Sequence, residues 1–280
     1  MEEETDLRKQ LESYLKSLQE EEKSPITIVK YQRDILRFLN FLEGKELTKA
    51  NCLLYKAYLQ AEGLHPNSIN SMLVSLNGFL SFFGHPEFKL RLLKVQESVY
   101  CTADEELTRD EYVSLIAAAE PDKRLQLLIQ TLGGTGIRVS ELSYFTMEAV
   151  KKGEIRITCK NKIRLILIPQ RLQEKLMEYA EKEGRETGSI FCTAEGKALN
   201  RVTIWRLIRR LCRKAGVPEE KGYPHNFRKL FARTFYRQEG DLPMLADLLG
   251  HSSLNTTRIY IKSTGQEHRE KIDQMNLVGE

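Results

Sequence analysis

No stretch of this chain approaches the ~18 consecutive apolar residues that a membrane-spanning helix needs, so a membrane partner is not expected. Cysteine is scarce. The five cysteines, at positions 52, 101, 159, 192 and 212, are odd in number, and none sits in a Cys-x-x-Cys pair. That argues against a disulfide framework and against a structural zinc site. Cys159 and Cys212 read as small apolar residues. Clustered carboxylates are also missing. Glu141, Asp241 and Asp247 lack the arrangement a metal-dependent nuclease or transposase would require. There is no internal repeat and no low-complexity tract. The opening Met-Glu-Glu-Glu-Thr-Asp is acidic, unlike the basic start of a secretory signal, and the expected location is the cytoplasm.

What is present is enough chain for two cores: 280 residues, 41% hydrophobic and 29% charged. The net charge of +4 is a weak pointer to nucleic acid, but its distribution is uneven. Residues 1–99 carry 13 Lys+Arg against 14 Asp+Glu, and residues 100–280 carry 30 against 25. Attraction to phosphate is therefore expected mainly from the second part.

Apolar residues recur at three- and four-residue spacing over 5–22, 27–42, 48–62 and 66–84, which predicts a four-helix bundle. Ser24-Pro25 should end the first helix, and Thr27 can cap the second. Residues 96–106 show no period and read as a linker between a domain at 1–95 and one at 107–280. Thr108 to Glu111 has capping-box spacing. A helix from Leu125 is expected to be interrupted at Gly133-Gly134. Ile155–Cys159 and Ile163–Ile168 are β-branched runs around Lys160-Asn161-Lys162, hence a hairpin with a basic tip. Further helices are expected near 170–183, 198–214, 225–238, 241–248, 253–263 and 266–275. The fold class is mainly α with a small β component: a helical bundle followed by an α+β domain.

The chemistry-bearing residues are Arg138, His225, Arg228, His251 and Tyr260. Two guanidiniums can hold the oxygens of one phosphodiester, histidines can move protons, and a phenol oxygen can attack phosphorus. A free phenol ionises only near pH ~10, so such a nucleophile needs a proton acceptor and a neutralised phosphate. Singly, each residue has an ordinary structural reading: Tyr260 as packing, Arg138 as a partner of Glu141, His251 as a helix cap.

Together, their order and contexts resemble the tyrosine recombinase (phage integrase) family, notably integrases of conjugative transposons and Xer-type recombinases. Thr135-Gly-Ile-Arg138-Val-Ser-Glu-Leu142 resembles the family's first arginine motif. His225-Asn-Phe-Arg228 is similar to its His-x-Leu-Arg motif, with Phe227 for leucine and Lys229 where many members have a second histidine. Leu248-Leu-Gly-His251 and Thr256-Thr-Arg-Ile-Tyr260 look like the third motif and the nucleophile motif. The resemblance implies an N-terminal SAM-like core-binding domain, a catalytic domain and a C-terminal tail from about residue 264 that packs into a neighbouring protomer.

It also implies catalytic roles for Arg138, His225, Arg228, His251 and Tyr260, with His225 assisting deprotonation of Tyr260 and His251 bonding a non-bridging oxygen. A hairpin lysine would act as general acid. Counting from Arg138 favours Lys160, and counting back from Arg164 comes close to Lys162. The activity implied is site-specific recombination of double-stranded DNA by a homo-tetramer, through 3′-phosphotyrosine and a Holliday junction. No cofactor or metal is called for, and an accessory protein is compatible. Integration or excision of a mobile element is the leading role, with Xer-type dimer resolution next. A type IB topoisomerase would share the chemistry, and a catalytically silent DNA-binding protein is the alternative from another class.

Two stretches suggest DNA contacts. Residues 201–214 hold six basic residues and no acid, and Arg206, Arg209, Arg210 and Arg213 fall opposite an apolar stripe. In the first domain, Lys30, Arg33 and Arg37 share one helix face.

Overall fold

The structure, a computed structural model, describes residues 2–95, 106–159, 162–193, 196–261, 269, 272–275 and 277. It divides into two compact units, Met1–Glu97 and Ser98–Glu280. Most of the expected linker lies outside the described residues. No helix among those described is long and apolar enough to cross a membrane.

The first unit packs α1 (Glu2–Glu20), α2 (Pro25–Leu42), α3 (Lys49–Ala61) and α4 (Pro66–Phe82) around Ile35, Phe38, Leu39, Tyr55, Leu59, Leu73 and Phe79. The cap of α2 is Ser24, not Thr27: Ser24 Oγ accepts the Thr27 backbone N–H. Pro25 explains the shift, because its fixed φ suits the first helical position and moves the cap back three residues. Asp34 is buried on α2, where it accepts from Lys30 Nζ (2.6 Å) and Ser75 Oγ (3.0 Å) and so ties α2 to α4.

The second unit opens with α5 (Arg109–Ala118), whose capping box between Thr108 and Glu111 is complete. Next, α6 (Lys123–Thr135) runs straight through Gly133-Gly134, where an interruption was expected. Packing overrides propensity here: the Tyr112 ring lies where a Gly133 Cβ would stand, at 2.7 Å. The helix ends at Gly136, in the left-handed region at φ +59. A 3-10 turn (Val139–Tyr144) and the short α7 (Met147–Lys152), neither of them foreseen, lead into the hairpin.

Strands β1 (Glu154–Cys159) and β2 (Lys162–Leu167) are antiparallel, and Cys159 pairs with Lys162, which leaves a two-residue connection. Lys160 therefore falls in that connection, outside the described residues, while Lys162 begins β2. Then follow α8 (Gln170–Lys182), α9 (Arg201–Ala215), α10 (Pro224–Glu239), α11 (Leu242–Leu249) and α12 (Leu254–Arg258). The helix expected over 253–263 is shorter: after Arg258 the chain tightens into a 3-10 turn, Ile259–Ile261, as helix ends often do. The core of this unit gathers Leu115, Leu128, Leu132, Phe145, Leu176, Phe191, Ile208 and Phe227. The expected helix near 266–275 lies mostly outside the described residues.

Candidate active site

Three features place the site residues on rigid backbone. Pro224 starts α10, so His225 and Arg228 stand one turn apart on one face of that helix. Gly136 ends α6 and delivers Arg138 to the mouth of the next turn. Gly250, at φ +64, ends α11 and turns the chain to His251.

Arg228 draws these segments together. It is 1% exposed. Its Nη1 donates to the Gly136 carbonyl (2.5 Å), and its Nη2 donates to the Leu249 carbonyl (2.6 Å) and lies 2.9 Å from His251 Nε2. The end of α6 and the third motif at the end of α11 thus meet at one guanidinium carried by α10. The Tyr260 ring completes the group, with its centroid 5.1 Å from that of His225, 5.2 Å from that of His251 and 5.7 Å from the Arg228 guanidinium carbon. Tyr260 is buried in a small cluster with Ala232, Leu245 and Leu249.

Arg138 is more open, with its side chain 46% exposed, and is steadied by Glu141. Glu141 Oε1 accepts from Arg138 Nη1 at 3.0 Å, and Oε2 from the Arg138 backbone N–H at 2.8 Å. The same carboxylate also accepts from Arg164 Nη1 at 2.6 Å to each oxygen, while Arg164 Nη2 donates to the Leu248 carbonyl at 3.0 Å. Arg164 belongs to the same cluster of charges, and the motif reading passed over it. Its signal was present: on β2 it shares a face with Ile166 and Ile168, both buried, so a cation sits on the apolar face of the strand.

Three guanidiniums and one carboxylate leave this pocket with an excess of positive charge. Burial, then repulsion from Arg138 and Arg164, lowers the Arg228 pKa to about 10, so it stays protonated at neutral pH. His225 stands at the rim and is exposed. Partial desolvation and the charges of Lys229, Arg228 and Arg138 push its pKa below the usual 6.5, which keeps it neutral and able to accept a proton. For His251, burial first and then Arg228, Arg138, Arg164 and His225 lower the pKa from 6.5 to about 4. Lys229 lies 3.8 Å from buried Glu106, which also pairs with Arg233.

The His251 shift has a stability consequence. A histidine held neutral by the fold is protonated more readily in the unfolded chain. Its contribution is therefore complete above pH 6.5 and is lost as the pH falls toward about 4. Urea midpoints measured between pH 7 and 4 should fall more steeply for the wild type than for His251→Gln, and parallel curves would contradict this account.

The remaining expected residues lie elsewhere. Arg206, Arg209, Arg210 and Arg213 do share one side of α9. Arg209 and Arg213 pair with Glu219 at 2.7 and 3.2 Å, and the Arg209 guanidinium lies over the Trp205 ring at 4.8 Å. Arg206 and Arg210 are exposed, with no carboxylate at ion-pair distance among the described residues. In the first unit, Lys30 and Arg33 both pair with Asp34, and Arg37 pairs with Glu62.

Comparison with known proteins adds to this geometry. Residues 105–267 match the phage integrase family, and residues 11–85 match the phage integrase N-terminal SAM-like domain. Tyrosine recombinase XerA of Pyrococcus furiosus is 32% identical over 276 residues, spanning 96% of this chain and 94% of the relative. A crystal structure of XerA recombinase matches 97% of this chain and 99% of its own at 25% identity, with a TM-score of 0.56. A lambda integrase tetramer bound to a Holliday junction matches 92% of this chain and 78% of its own at 21% identity, with a TM-score of 0.73, a likeness of fold.

Proposed function

This chain belongs to the phage integrase family, and from that premise we propose that its second unit cuts and rejoins DNA through Tyr260 in the course of site-specific recombination. The observation that supports the residue assignment is the convergence of Arg228, His225 and His251 on Tyr260, with the Arg138 charge near enough to act on all three, in a pocket with more guanidinium than carboxylate. Arg138 and Arg228 grip the non-bridging oxygens of one phosphodiester. Neutral His225 takes the phenolic proton as the oxygen attacks phosphorus, and the 5′ oxygen leaves. Lys160 is the proposed donor of the proton that the leaving oxygen needs. The 3′-phosphotyrosine conserves the energy of the broken bond, so a second 5′ hydroxyl can reverse the step without ATP. Glu141 and Arg164 hold Arg138 and the hairpin in register.

Exchange of two strand pairs needs four such tyrosines and passes through a Holliday junction. The proposed assembly is a homo-tetramer on double-stranded DNA, acting in the cytoplasm, with the C-terminal tail exchanged between protomers and room for an accessory protein. The DNA-contact residues proposed are Lys162, Arg206, Arg209, Arg210 and Arg213, with Lys30, Arg33 and Arg37 in the first unit.

Two biological roles use this chemistry: integration or excision of a mobile element, and Xer-type dimer resolution. The near-complete overlap with XerA favours the second. Both roles split a plasmid with two directly repeated sites, so the discriminating result is the reverse reaction: an integrase should also join sites on separate molecules, and a dimer resolvase should favour splitting.

The decisive experiment starts from DNA selected by binding out of a random pool. A nicked duplex of that sequence, incubated with the full chain in excess EDTA, should give a denaturation-resistant protein–DNA adduct. Tight binding with no adduct would instead support a DNA-binding protein without cleavage.

A further inference from the structure

The two nitrogens of His251 have partners of different kinds. Nε2 lies 2.9 Å from Arg228 Nη2, and Nδ1 lies 2.9 Å from Thr257 Oγ1. A guanidinium carries only donors, so Nε2 must offer its lone pair to Arg228. The single proton of the neutral ring is then on Nδ1, and the Thr257 hydroxyl accepts it. The depressed pKa of His251, about 4, fits a ring that carries one proton. The role that the family resemblance implies for His251, a hydrogen bond to a non-bridging oxygen, asks for the other tautomer, because with Nδ1 on Thr257 only Nε2–H could supply it.

We infer that Thr257 is a positioning residue that lets His251 exchange tautomers between the free and the phosphate-bound states. In the free enzyme its hydroxyl accepts from Nδ1–H. Once a phosphodiester engages Arg228, Nε2–H turns to the phosphate oxygen, and the same hydroxyl donates to the bare Nδ1. One proton leaves Nδ1 for solvent and one reaches Nε2 from solvent, so the ring stays neutral throughout. The inference rests on the recombinase reading for its purpose, but not for its geometry.

The choice of a hydroxyl is what permits the exchange. A carbonyl or carboxylate at this place could only accept and would lock the proton on Nδ1. A hydroxyl both donates and accepts, and its hydrogen rotates. Thr257 is 0% exposed, so Oγ1 is the standing partner of Nδ1 while the half-buried His251 ring exchanges its protons with solvent, and the β-branched side chain is stiff at χ1, which holds Oγ1 still while its hydrogen turns. Its neighbour Thr256, similar in sequence, is exposed and not equivalent.

Long-range proton–nitrogen NMR of the full chain labelled at its five histidines reads the tautomer directly. His251 is assigned by the signal lost in His251→Asn. Without added anion, Nδ1 should be protonated and Nε2 bare. Saturating sulfate, a tetrahedral stand-in for the phosphodiester, should move the proton to Nε2. Thr257→Ser should behave like the wild type, and Thr257→Val should lose the sulfate-driven shift. A wild-type ring protonated at Nε2 without anion, or a wild-type ring that sulfate leaves unchanged, overturns the inference even if Thr257→Val does not fold. So does a normal shift in Thr257→Val. An intact shift in a protein that forms no DNA adduct would count against the recombinase reading and leave the role of Thr257 standing.

Discussion

Tyr260→Phe is expected to abolish the covalent DNA adduct and all strand exchange while leaving DNA binding and folding close to those of the wild type. The substitution removes one oxygen from a side chain whose ring is held by Ala232, Leu245, Leu249, His225 and His251. Those contacts belong to the ring and survive. The chemistry proposed for this residue belongs to the oxygen, which the substitution removes. Denaturing gels after incubation with a nicked site would show free DNA only, beside an unchanged shift on native gels. An adduct that persisted in the variant would move the nucleophile elsewhere, with Tyr236 of the same cluster the first to examine.

The second large effect separates the two arginines. Arg138→Ala and Arg228→Ala should each slow adduct formation by ~10²–10³-fold, the usual cost of losing one aimed donor at a developing charge. Their effects on folding should differ. Arg138 is half exposed and its partner Glu141 keeps Arg164, so the fold should tolerate its loss. Arg228 is buried and donates to the carbonyls of Gly136 and Leu249. Each orphaned carbonyl costs about 1–3 kcal/mol, offset in part by relief of repulsion from Arg138 and Arg164. A net loss of about 2–4 kcal/mol, or roughly 5–10 °C in Tm, is expected for Arg228→Ala alone. Equal melting temperatures for the two variants would contradict the structural half of this argument.

The helices with strong apolar period could be read from the sequence because they bury a continuous face, and α2, α4, α9 and α10 are all of this kind. What escaped has a physical cause. The passage of α6 through Gly133-Gly134 depends on a ring supplied by Tyr112, twenty-one positions away. The turn Val139–Tyr144 and the short α7 each span six residues, too few to establish a period. The five motif residues proposed as the site could be picked out from order and context. The carboxylate shared by Arg138 and Arg164 could not, because it joins a turn to a strand through space. Thr257 was hidden for a related reason: in the string it is one of two adjacent threonines, and burial alone tells them apart.

The double duty of Arg228 bears on how such an enzyme can decay. A descendant under no pressure to cut DNA can shed its tyrosine oxygen, or the exposed arginine at 138, and still fold. It cannot as easily shed the buried one, which knots three segments into one domain. Retired copies of this protein should thus lose the phenol oxygen at position 260 first and keep the inner guanidinium long afterwards, as a relic held in place by the fold.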